Sequence, residues 1–214
     1  MACGPLKKAC FLKVILHSRG AGDRIALPSW RAVMSFPFSP HRATARASMN
    51  RFLYAPSSMY KHCDTDDALF SLHDCHAEKI TFEKGVASFY FPGGFWILAT
   101  HPANMSNAVV RSDASTVQYH LVDESLGAIG VYIFTKTQKG RSVREEWEPE
   151  DFMHAVNRGT FRVEFIQRYQ DNGSLLYKCW LWLQQKPYHK ECEITIDTVQ
   201  ITYCWNNVCP ENTW

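Results

Sequence analysis

Between residues 161 and 183 apolar and polar side chains alternate on both sides of an Asn-Gly pair, a pattern that commits this stretch to an antiparallel hairpin. Phe161, Val163 and Phe165 alternate with Arg162 and Glu164, the mark of a half-buried strand. Asp171-Asn172-Gly173 turns the chain. Leu175, Tyr177, Cys179, Leu181 and Leu183 then return along one face.

The same reasoning extends in both directions. Residues 77–83 alternate, with Ile80 and Phe82 opposite Lys79, Thr81 and Glu83. Glu83-Lys84-Gly85 is a turn in which Gly85 supplies positive φ, and residues 86–91 form the returning strand. Pro92-Gly93-Gly94 breaks that strand, and residues 95–99 resume it. Further strands are expected at 116–122 and 128–137, with a final pair at 190–197 and 199–205 that turns Cys192, Ile194 and Ile196 inward. One helix interrupts. Pro149 suits a first helical position, Glu150 and Asp151 complement the positive N-terminal dipole, and Gly159 can end the helix. Phe152, Ala155 and Val156 give it an apolar stripe. The predicted fold is mainly β, an antiparallel β-sandwich or open barrel with one short helix. Strands and helices do not alternate, which disfavours a parallel doubly wound sheet.

The regular pattern covers 69–206, with 49–68 as a lead-in and 207–214 as a tail. Residues 1–48 differ: they show no sustained period and carry eight Lys/Arg against one acid, or +7. The other 166 residues carry fifteen Lys/Arg against twenty acids, or −5, so the formal +2 belongs to the first segment. An organelle leader, a basic tail and a true start at Met49 are the competing readings of 1–48, and the absence of a folding pattern favours the third. The mildly acidic remainder, without a basic stripe, argues against nucleic acid as a partner. No apolar run approaches the roughly 20 residues of a membrane span, and Lys13 divides the one stretch that resembles a signal h-region. The eight cysteines are therefore expected to be mostly reduced, and the protein soluble and cytoplasmic.

Residues 72–98, LHDCHAEKITFEKGVASFYFPGGFWIL, resemble the opening of small bacterial β-proteins, some of them immunity-protein-like. His73-Asp74 and Phe91-Pro92-Gly93-Gly94-Phe95 carry the likeness, which spans 27 residues. The resemblance implies a small bacterial cytoplasmic protein and brings no catalytic residues with it.

Four chemical readings follow from residue types. His73, Cys75 and His76, with His62-Cys63 upstream, are the densest set of metal-ligand types, but they lack a C-x₂-C pair, so turn chemistry is the stronger reading and no metal or cofactor is expected. Cys179, Cys192 and Cys204 fall in predicted strands and read as core, with Cys209 beyond them. No phosphate-binding, nucleophile-elbow or zinc-protease motif is present, so an enzyme of unknown reaction is only an alternative. Trp180 and Trp182 share a strand face, and exposed tryptophans would suit a carbohydrate-binding module, a second alternative. The favoured function is binding of another protein, with basic ones among the candidates, as an immunity-like or accessory factor. Its named surface is Glu145, Glu146, Trp147 and Glu148, an acidic rim around an aromatic anchor on an exposed connection before the helix.

Overall fold

A computed structural model describes residues 60–214. The expectations for residues 1–48, and most of those for the 49–68 lead-in, lie outside them. The first strands are β1 (His62–Asp64), β2 (Phe70–Ser71), β3 (Cys75–Ala77), β4 (Lys79–Glu83), β5 (Val86–Phe91) and β6 (Trp96–Ile97). Next come β7 (Val110–Ser112), β8 (Ser115–Leu121), β9 (Ile129–Lys136), β10 (Ser142–Trp147) and the helix α1 (Pro149–Asn157). The chain closes with β11 (Phe161–Asp171), β12 (Ser174–Leu183), β13 (His189–Trp205) and β14 (Val208–Thr213).

The predicted hairpins form where the sequence placed them. Lys84 and Gly85 have φ of 52° and 75°, and Asn172 and Gly173 have 47° and 90°. Both turns thus put two left-handed residues between strands, the geometry that matches strand twist.

Ten strands make one antiparallel sheet in the order β3-β11-β12-β13-β8-β5-β4. β1 and the β9–β10 hairpin are added through β13, whose first half lies beside β12 and β9 and whose second half lies beside β8 and β1. Only Glu78 separates β3 from β4, yet they pair with β11 and β5 at opposite ends of that order. The sheet therefore curls over towards itself into a sandwich-like, open arrangement. A second sheet, β14-β7-β6-β2, lies apart from this path.

Curling turns one sheet face inward, and aromatic rings fill it. Phe89, Phe91, Tyr119, Phe165, Tyr177, Tyr203 and Trp205 are all buried to 1% exposure or less. Phe165 meets Tyr177 edge-on at 4.9 Å and Phe89 meets Tyr119 at 5.4 Å, the favoured arrangement for ring quadrupoles. Phe152 and Val156 of α1 join this core. Asn157, at the helix end, donates to the Ile80 carbonyl at 2.7 Å and accepts from the Ile80 amide at 2.8 Å. Its side chain thereby occupies the open edge of β4.

Four expectations need correction. The final pair at 190–197 and 199–205 is one strand, β13, with a bulge between Thr198 and Gln200. The inward residues switch there from even to odd numbers, from Cys192, Ile194 and Ile196 to Ile201, Tyr203 and Trp205. In the sequence that switch looks like a break. The 207–214 tail contains β14, which pairs with β7, and the lead-in contains β1. Strands of three to six residues with mixed patterns leave no periodic trace. Cys204, read as a core thiol, is not free. β1 sets Cys63 directly opposite Cys204 with Cα atoms 4.3 Å apart, and the two form a disulfide. Finally, residues 142–147 are strand β10, not a connection.

Candidate functional site

β10 is held by its ladder to β9, since all its residues but Trp147 are exposed. Alternation divides the expected acidic rim between the two sheet faces: Glu145 and Trp147 on one, Glu146 on the other beside Tyr132. Trp147 is no projecting anchor. Its ring lies 6.1 Å from Phe161, packed against the core. Glu148 is the N-cap residue of α1 and makes no side-chain capping bond. Glu145, Glu146 and Glu148 form no ion pair among the described residues. Arg144, the one cation in this stretch, is turned onto the sheet, 3.4 Å from the Tyr132 ring centroid and 3.8 Å from Glu193. Among the described residues β10 pairs with β9 alone, which leaves its outer backbone edge without a partner strand there.

His73, Cys75 and His76 do not converge. His73 stacks on Trp214 at 5.2 Å, and its Nδ1 lies 2.5 Å from the Ile166 carbonyl. Cys75 is fully buried, 3.4 Å from the Arg111 guanidinium. His76 is on the opposite face of β3, 3.6 Å from Glu164. Among the described residues no group of three or more His, Cys, Asp or Glu is placed to hold a metal ion. His101 is also fully engaged. Its Nδ1 accepts from the Ala103 amide at 3.0 Å, which leaves the proton on Nε2 to donate to Asp64 at 3.2 Å.

Four thiols are free among the described residues: Cys75, Cys179, Cys192 and Cys209. Burial raises the pKa of all four, so the three buried thiols have both little thiolate and little access to reagent. Cys209 is the only one not buried. Native alkylation with iodoacetamide, read by peptide mass, should therefore modify Cys209 first within this region. Early labelling of Cys179 or Cys192 would show that the β12–β13 core opens readily.

Trp180 and Trp182 do share the outer face of β12. Trp180 meets the His189 ring at 83° and Trp182 meets it at 51°, so the two indoles are inclined to each other by at least the difference, 32°. Such rings do not form a flat sugar platform.

The densest polar chemistry lies inside the curl, where the sequence offered no motif. Asp67 accepts from both terminal nitrogens of Arg168, 2.6 Å from Nη1, and from the Tyr203 hydroxyl at 2.6 Å. Tyr119 donates to Tyr177 at 3.0 Å. Burial raises the pKa of all three tyrosines, which keeps them neutral hydroxyls. Two bulges assemble this cluster. In β11 the register shifts between Phe165 and Gln167, so Arg168 takes the inward face opposite Tyr177 and Tyr169 is left 44% exposed. The bulge in β13 does the same for Tyr203. Bulges commonly re-aim side chains beside functional sites.

Compared with protein-family models, with curated proteins and with solved structures, the chain matches none. Fold and geometry define its class: an antiparallel β domain with an open acidic edge strand and an interior polar cluster.

Proposed function

We propose that this domain binds another protein by accepting an extended, basic segment as an extra strand on β10. The open edge of β10 carries the reading. An unpaired edge offers a row of N–H and C=O groups and is a common route to peptide recognition. The comparable edge of β4 is blocked by Asn157, whereas β10 has no such cover among the described residues. Residues 142–151 hold five acids against Arg144 alone, and that arginine faces the sheet. Their charge repels acidic strands and steers basic ones. An immunity-like or accessory role in a bacterium fits this mode of action. The proposed compartment shifts, because the Cys63–Cys204 bond suits an oxidising environment better than the cytoplasm. The tilt between Trp180 and Trp182 gives the carbohydrate reading no comparable support.

A synthetic peptide of alternating lysine and valine is the direct probe, with binding followed by tryptophan fluorescence. Glu145→Lys combined with Glu146→Lys should weaken binding at least about tenfold, and added salt should weaken wild-type binding in the same direction. The melting temperature should move by no more than about 2 °C, since exposed charges without partners contribute little to stability. Equal affinity of the double variant, or its early unfolding, would make the acidic strand structural and defeat the proposal.

A further inference from the structure

The polar cluster inside the curl borders a cavity of about 100 Å³ that β10 does not touch. Phe70, Leu72 and Phe165 contribute its apolar wall, and Arg168, Tyr177 and Tyr203 are joined on its polar side by Ser71, His73 and Gln167. Its hydrogen bonding is unbalanced. Asp67 is fully engaged by Arg168 and Tyr203. Tyr119 is not on the wall and donates to Tyr177, and among the described residues no group accepts the Tyr177 proton. Arg168 Nε is buried and meets no hydrogen-bond partner among the described residues. Both unmatched groups are donors, and a buried donor left unpaired costs free energy.

We infer that the cavity is a binding site for a small neutral molecule presenting a carbonyl oxygen, of the amide or ketone class, held by Tyr177 and Arg168. Volume sets the size. At about 30 Å³ per water, the space takes roughly three waters or a molecule of about five non-hydrogen atoms, far below a drug-sized or lipid ligand. Charge sets the class. Asp67 already neutralises Arg168, so a carboxylate would enter beside another carboxylate, on a pair whose side chains are only about a quarter exposed. A carbonyl accepts from both donors without that repulsion, and its alkyl end meets Phe70, Leu72 and Phe165. The two bulges that turn Arg168 and Tyr203 inward have no role in the partner reading, so this site stands or falls independently of β10.

The test is a titration of the intact chain with acetamide, read on the guanidinium Nε–H resonance of Arg168 and compared with acetone and sodium acetate. Acetamide and acetone should shift that signal saturably at millimolar concentrations, and acetate should not. Tyr177→Phe should weaken the response at least tenfold. Leu72→Phe, which fills the cavity from the apolar side and keeps both donors, should abolish it, and it serves where the tyrosine variant does not fold. A saturable response to acetate alone would overturn the neutral class. No response to any probe, or an unchanged response in Leu72→Phe, would mean that the cavity holds only water and would overturn the site.

Discussion

Reducing the Cys63–Cys204 bond should lower the stability of the domain by about 3–5 kcal/mol and its melting temperature by roughly 10 °C. The size follows from what the bond closes. Its partners are 141 residues apart, nearly the whole described chain, and a cross-link of that span removes about 5 kcal/mol of chain entropy from the unfolded state. Cross-links commonly deliver less than the chain-entropy limit, hence the lower bound. β1 is also only three residues long, so the bond supplies much of what fastens it to β13. His62 stacks on the buried Trp205 at 5.3 Å from that strand. Cys63→Ser should reproduce the effect of dithiothreitol, whereas Cys209→Ser should not. The check is thermal melting with and without reductant, beside a non-reducing peptide map. If no linked peptide carries both cysteines and reductant leaves the melt unchanged, the pair is reduced and the proposed oxidising compartment loses its basis.

The strands that could be read from the sequence were those whose burial is periodic. Residues 161–165 and 175–183 alternate because one face meets the aromatic core, residues 86–91 are marked by their aromatic content, and the structure has strands there with turns at Lys84-Gly85 and Asn172-Gly173. α1 was legible for the same reason, from Pro149 and its Phe152–Val156 stripe. β10 was not, because an edge strand exposed on both faces has no burial to impose a period. β1 and β2 are too short for any period, whereas β6 falls within the strand expected at residues 95–99. The interior cluster was hidden by the bulges. Continued alternation from Phe161 through Phe165 sends Tyr169 inward and Arg168 out, and one extra residue near Ile166 exchanges them. A charged residue in a strand reads as surface unless the register is known, and register is a tertiary property. The acidic segment was found by composition alone, which could not say that Trp147 faces the core while Glu146 lies on the opposite face of the sheet beside Tyr132.

Of the two adjacent glycines after β5, substitution of Gly94 should be severe and substitution of Gly93 nearly silent. Gly94 has φ of +75°, and a Cβ there would lie 2.0 Å from the Ser112 carbonyl oxygen and 2.7 Å from that of Asp113. Neither atom can swing aside, because both belong to the backbone where β7 turns into β8. The left-handed conformation alone costs a residue with a Cβ about 1–2 kcal/mol. Moving two carbonyls brings the expected loss for Gly94→Ala to more than about 3 kcal/mol, within the range of the largest single-residue effects. Gly93 has no heavy atom within 4 Å of its would-be Cβ and no positive φ, so Gly93→Ala should fall within about 0.5 kcal/mol of wild type or stabilise slightly by restricting the unfolded chain. The consequence reaches the interior site. Gly94 donates to the Phe91 carbonyl at 3.1 Å, and the next amide, that of Phe95, donates to Ser112 Oγ at 3.0 Å. This turn therefore sets the position of Phe95, whose ring lies 5.3 Å from Tyr203 and 5.5 Å from Phe70, two walls of the cavity. Urea unfolding of the two alanine variants, with the Arg168 Nε–H resonance as a local reporter, separates the cases. Gly94→Ala should lower the midpoint sharply and perturb that resonance, and Gly93→Ala should do neither. Equal midpoints for the two variants would show that the close approach of Gly94 to β7 is not what sets this turn.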